Sequence, residues 1–115
     1  MKIIHHSDEF STTSQITIAD VQELANMGFK TIINIRPDME GGQSQPLGAD
    51  IKKAALELGL SYIAYPVISG GVTQNISHNF SELLKTCPVP VLAYCASGNR
   101  PSRLYTLSRQ PKSCL

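Results

Sequence analysis

Two alternating periodicities constrain this chain more than any single residue does. In "KTIINIRPD", Thr31, Ile32, Ile33 and Ile35 form a nearly unbroken apolar, β-branched run, the pattern of a strand buried on both faces. The Arg36-Pro37 pair ends it, because the residue before a proline is pushed out of regular pairing geometry. Before it, "TIADVQELANMGFK" spaces Val21, Leu24 and Ala25 at the helical period behind a Thr17 cap, which predicts a helix from about Ala19 to Met27 with Gly28 as its stop. "ADIKKAALELGL" repeats that period with Ile51, Ala54, Ala55 and Leu58 and stops at Gly59. "SYIAYPV" reads as the next strand, "ISGGVTQN" as a turn, and a third helix is expected from about Thr73 to Lys85 with Ile76, Phe80, Leu83 and Leu84 on one side. "PVPVLAY" is the last strand, and "FSTTSQIT", Phe10 to Thr17, a short edge strand. Strand and helix thus alternate along the whole chain. Crossovers of this length argue for an α/β fold with a mostly parallel central sheet of about four strands and flanking helices. At 115 residues, the chain has room for one domain, residues 1–115.

Composition then removes function classes. A formal charge of +1 gives no pull toward nucleic acid or an acidic membrane surface. No run approaches the roughly 18 apolar residues of a membrane span, and "MKIIHHSDEF" lacks the apolar core of a secretory signal. Neither nucleic acid nor membrane is an expected partner, and a cytoplasmic location is the default expectation. Cys87, Cys95 and Cys114 form no CxxC spacing, so neither a disulfide framework nor a zinc site is expected. His5, His6 and His78 are too scattered to add one. No metal or other cofactor is expected.

The chemistry concentrates in "VLAYCASGNRPSRLY", residues 91 to 105. A buried strand runs straight into Cys95, with Arg100 five positions later and Pro101 at the expected start of a helix. In parallel α/β sheets reactive groups gather at the carboxyl ends of the strands, where Cys95 falls. The backbone amides of Ala96, Ser97, Gly98, Asn99 and Arg100 can curl around one point, and Gly98 permits the tight turn. Those amides, the positive helix end and the arginine stabilise a thiolate, with Ser97 or Ser102 as a further donor to the sulfur. The same cradle suits a tetrahedral oxyanion. The plainer reading makes Cys95 a small buried core residue at a strand end.

The stretches "QITIADVQELANMGFKTIINIRPDMEG", "LGLSYIAYPVISGGVT" and "VPVLAYCASGNRPSRLYTL" together resemble one family over about residues 15–107. It is the phosphatase-like domain of beta-lactamase-hydrolase-like proteins, also described as a rhodanese-like sulfurtransferase family of the protein tyrosine phosphatase superfamily. The resemblance implies a compact dual-specificity-phosphatase-like fold, with Cys95 as nucleophile and Arg100 as anion ligand. It also implies a persulfide dioxygenase-type partner, since relatives of this domain occur fused to one. In the family the helix after the loop runs longer; here it meets Pro111, so the domain reads as a truncated or divergent copy.

Two features weigh sulfur chemistry against phosphate chemistry. Four residues separate Cys95 from Arg100, one fewer than in tyrosine phosphatases, and Pro101 stands where the longer loop would hold its arginine. No Asp or Glu lies between Ser61 and Ser81, the region where a dual-specificity phosphatase keeps its general acid. Sulfite or a thiolate leaves without protonation. The leading expectation is therefore a sulfurtransferase carrying sulfane sulfur from thiosulfate or a persulfide on Cys95. The alternatives are a phosphatase working through a phosphocysteine, with Asp38 or water as acid, and a weakly catalytic anion-binding module. Asp38 also reads as a turn former after Pro37. Arg36, at the end of its strand, either holds an anionic substrate or pairs with Asp38 or Glu40. Arg103 reads as solvated, and Tyr65 and Tyr94 as pocket walls or core. Cys87 is expected about 25 Å from Cys95, too far to resolve it, while Cys114 in the tail could reach back.

Overall fold

The computed structural model describes residues 1–109; the expectations for Pro111 and Cys114 lie outside the described residues. The chain forms β1 (Ile4–His5), β2 (Phe10–Thr13), α1 (Ile18–Asn26), β3 (Thr31–Asn34), α2 (Gly48–Glu57), β4 (Ser61–Ala64), α3 (Gln74–Leu84), β5 (Val91–Tyr94) and α4 (Asn99–Ser108). A 3-10 turn, Gly42–Ser44, lies in the loop before α2. One mixed sheet in the order β1-β2-β5-β3-β4 carries four helices. All pairings are parallel except that of β1 with β2.

The strands β3 and β5 alternate between two cores. Ile33, Ile35, Val91, Ala93 and Cys95 face one side, with Phe10, Phe80 and Leu104 from β2, α3 and α4. Ile32, Leu92 and Tyr94 face the other, with Val21, Leu24, Ile51 and Ala55 from α1 and α2. This double burial is why the strands read as continuous apolar runs. It also means that consecutive residues of the central strands serve opposite sides of the molecule.

Two expectations change. The segment from Phe10 is an inner strand, ending at Thr13, because β1 pairs along its outer side. A two-residue strand carries no period to detect. Helix α4 begins at Asn99, with Gly98 before it, so Pro101 is the third helical residue and not the first. Proline is tolerated there because amides of the first turn have no intrahelical acceptor to lose. At the start of α1, Thr17 and Asp20 cap each other reciprocally: the Thr17 hydroxyl takes the Asp20 amide at 3.2 Å and the Thr17 amide donates to the Asp20 carboxylate at 2.9 Å.

Candidate active site

Cys95 directly follows β5 and is fully buried. The Gly98 amide donates to its sulfur at 3.1 Å, which closes the loop back on the cysteine. Gly98 must be glycine on two counts. Its φ is 92°, and a Cβ there would lie 3.2 Å from the Thr13 carbonyl carbon and oxygen. Neither expected hydroxyl reaches the sulfur: Ser97 Oγ accepts the Asn99 amide at 3.3 Å, and Ser102 Oγ donates to the Gly98 carbonyl at 3.0 Å. These are local side-chain caps of loop and helix backbone, which is what short hydroxyl side chains do at such positions. Ser102 also meets Thr12 Oγ1 at 3.1 Å, tying the loop to β2. Ala96 and Ser97 are exposed, and among the described residues their amides donate to no protein acceptor.

Arg100 is 8% exposed and its guanidinium lies beside the Cys95 thiol. Nη1 and Nη2 donate to the two carboxylate oxygens of Glu40 at 2.7 Å each, and Nη1 also donates to the Val67 carbonyl at 2.9 Å. Three of the five guanidinium N–H groups are thus occupied. The Nε–H and the second Nη2–H, which share one edge, remain for a two-pronged contact with an oxyanion. The hydrogen bond from Arg100 holds the Glu40 carboxyl below the usual carboxylate range, against an opposing push from partial burial and with Arg36 assisting. Glu40 in turn pushes Arg100 upward, so the pair stays doubly charged.

Glu40 reaches this position through a tight loop. Met39 has a φ of 67°, a left-handed conformation that costs a non-glycine residue on the order of 1–2 kcal/mol. Arg36 Nε donates to Glu40 Oε1 at 3.0 Å and Nη1 to Gln15 Oε1 at 3.1 Å. Arg36 makes the ion pair that was one of its two expected roles, and its partner is Glu40. Gly41 makes room for it, since a Cβ there would lie 2.5 Å from Arg36 Nη2. Gln15 also donates its backbone amide to the Ala96 carbonyl at 3.3 Å, so brace and cysteine loop share a support.

Asp38 goes elsewhere. Its Oδ1 accepts the Gly48 amide at 2.9 Å, which anchors the start of α2. It lines a cavity of about 340 Å³ with Asn34, Arg36, Lys52 and Tyr62, to which Cys95 does not contribute. The Asp38 charge is felt by Tyr62 and Tyr94, whose hydroxyls are pushed up chiefly by burial. Tyr94 and Cys95 belong to opposite sides of the sheet, Asp38 is coupled to the Tyr94 side, and the carboxylate bonded to Arg100 is Glu40. The sequence suggested Glu40 only as a partner of Arg36. A buried arginine in the first turn of a helix demands a carboxylate, and that demand was the available signal. Tyr65 donates its hydroxyl to the Ile76 carbonyl at 2.8 Å and Tyr94 is core. Cys87 lies beyond the opposite end of β5 and its Sγ meets the Leu83 carbonyl at 3.4 Å.

The segment between β4 and α3 completes the site. Besides the Val67 carbonyl, it contributes Ser69, Gly70 and Val72 to a cavity of about 370 Å³ shared with Asn99, Arg100 and Arg103. Arg103 is exposed, as expected, yet it borders the same cavity as Arg100. A cleft of about 330 Å³ between α3 and α4, lined by Phe10, Leu84, Val91 and Tyr105, lies at the other end of the strands, away from Cys95 and Arg100.

A mostly parallel sheet whose central strand opens into a cysteine-arginine loop at a helix start defines a phosphatase-like protein. Comparison with known proteins agrees. Residues 3–111 match the family described as beta-lactamase hydrolase-like protein, phosphatase-like domain, and the chain belongs to that family. A beta-lactamase hydrolase-like protein of Agrobacterium fabrum is 35% identical over 107 residues, covering 93% of this chain and 25% of that protein. The chain therefore spans about a quarter of the length of such relatives. A Neisseria meningitidis structure named as a candidate phosphatase is 35% identical with a TM-score of 0.84, covering 91% of this chain and 74% of that one. P. aeruginosa TpbA, solved in complex with pTyr, shares the fold at 14% identity, a TM-score of 0.67 and coverage of 94% and 65%. These likenesses favour the phosphatase alternative over the sulfurtransferase expectation.

Proposed function

We propose that this chain is a cysteine-dependent phosphatase-like hydrolase in which Cys95 is the nucleophile and Arg100 the oxyanion ligand. The observation that carries the reading is the fixed guanidinium: Glu40 and Val67 hold it beside the thiol and leave one two-donor edge unoccupied. The exposed amides of Ala96 and Ser97 add donors for the remaining phosphoryl oxygens, and the N-terminus of α4 adds favourable potential. In the first step the Cys95 thiolate forms an S–P bond while the P–O bond to the leaving group breaks and its electron pair departs on oxygen. Water then forms a new P–O bond, the S–P bond breaks, and the thiolate is restored. Sulfane sulfur transfer stays as the second reading, favoured by one observation: the β4–α3 segment holds no carboxylate to protonate a poor leaving group.

One experiment separates them. Purified protein is incubated with 4-nitrophenyl phosphate and with thiosulfate, following phosphate release, cyanide-reactive sulfur and the intact mass of the protein. Phosphate release that vanishes in Cys95→Ser, with phosphocysteine trapped on the wild type, supports hydrolysis. A gain of about 32 Da from thiosulfate without phosphate release would overturn it in favour of sulfur transfer.

A further inference from the structure

The cavity between the β4–α3 segment and α4 is lined by Ser69, Gly70, Val72, Asn99, Arg100 and Arg103. Arg100 and Arg103 stand three positions apart on one helix face, and no carboxylate lines the cavity. Helix α4 has no acidic residue in its first turn, although the amino end of a helix favours negative charge. Glu40 answers Arg100, but among the described residues Arg103 has no salt-bridge partner. Positive potential is therefore concentrated in a concave site that shares Arg100 with the cysteine loop and has only one protein counter-charge, an arrangement that attracts an anion. The same cavity is walled by the segment that carries no proton donor of carboxylate type. An alkoxide leaving group would find there no carboxylic acid to supply the proton it needs.

We propose that Arg103 binds the leaving group, and that the substrates are phosphoanhydrides, whose leaving group is itself a phosphate oxyanion. This deepens the phosphatase reading and rests on it. When the Cys95 thiolate forms its S–P bond, the bridging P–O bond breaks and its electron pair is delocalised over the departing phosphate. That group needs no proton, and Arg103 neutralises the added charge. Water completes the cycle by the hydrolysis given above, releasing a proton to solvent.

The test is steady-state hydrolysis of inorganic pyrophosphate and of 4-nitrophenyl phosphate by wild type, Arg103→Gln, Arg103→Lys and, as a control on the remote exposed face of α2, Lys53→Gln. The ratio of kcat/KM for pyrophosphate over that for 4-nitrophenyl phosphate is expected to fall on the order of 100-fold in R103Q, the scale of losing one preorganised donor. It should recover in part in R103K and hold in K53Q. An unchanged ratio in R103Q, with the wild type active on 4-nitrophenyl phosphate, overturns the role of Arg103 and leaves the phosphatase reading standing. Failure of the wild type to release phosphate from either probe overturns both.

Discussion

Replacing Glu40 by glutamine tests the centre of the site. The carboxylate makes two 2.7 Å hydrogen bonds to Arg100 and one of 3.0 Å to Arg36. Its side chain is 25% exposed and that of Arg100 9%. Opposite charges about 4 Å apart attract by ~4 kcal/mol at an effective dielectric of ~20. Dehydrating the carboxylate offsets part of that, and a glutamine keeps one acceptor, while its amide group confronts a guanidinium N–H. Breaking a fully buried pair costs about 3–5 kcal/mol, and partial exposure of Glu40 lowers the expected loss to about 2 kcal/mol. For 115 residues that is a fall in Tm of about 8 °C. The pH dependence supplies a second readout. Because the folded-state Glu40 is depressed below its unfolded value, the unfolded chain binds more protons in the interval between the two. Its contribution is complete above the ordinary carboxylate range near ~4.3 and is lost as pH falls through the lower folded value. Urea unfolding of wild type and E40Q at neutral pH and at successive acidic pH values measures both effects. The variant should be less stable at neutrality and the difference should shrink on acidification. A loss under about 0.5 kcal/mol, within the range of ordinary surface changes, with an unchanged acid slope would refute the bracing of Arg100 by Glu40.

Two further substitutions probe the loops on either side. Gly98→Ala imposes a φ of 92° on a residue with a Cβ that meets the Thr13 backbone at 3.2 Å, so urea unfolding should show a loss of roughly 2–3 kcal/mol, and phosphate release should fall with the misplaced Cys95. Asp38→Asn should cost about 1 kcal/mol by weakening the anchor of the Gly48 amide while leaving the pH–rate profile in place; loss of the basic limb of that profile would return Asp38 to the role of general acid.

The strands and helices were legible because each is written in neighbouring residues. Thr31 to Ile35 and Val91 to Tyr94 are apolar on both faces and occupy the centre of the sheet. Thr17, Gly28 and Gly59 marked helix ends by local chemistry. β1 was missed because two residues carry no pattern, and with it the inner position of β2. The cysteine loop was legible for the same local reason: strand, cysteine, glycine and arginine lie within a few positions. Its inner wiring was not. The hydroxyls of Ser97 and Ser102 had several hydrogen-bond partners within reach, and only the packed backbone selected the Asn99 amide as donor to one and the Gly98 carbonyl as acceptor from the other over the sulfur.

The sequence by itself determined the alternating α/β order, the place of Cys95 at the end of a buried strand, and the arginine that follows it. What the tertiary structure alone decided is which carboxylate serves that arginine. Asp38 and Glu40 flank one residue in the same loop, and nothing local distinguishes them. Met39, turned into a left-handed conformation, helps send Asp38 toward α2 and Glu40 toward Arg100, 60 positions away in the chain. Such a pairing depends on loops meeting at the ends of adjacent parallel strands, a proximity set by the order β5-β3 in the sheet rather than by any period in the sequence.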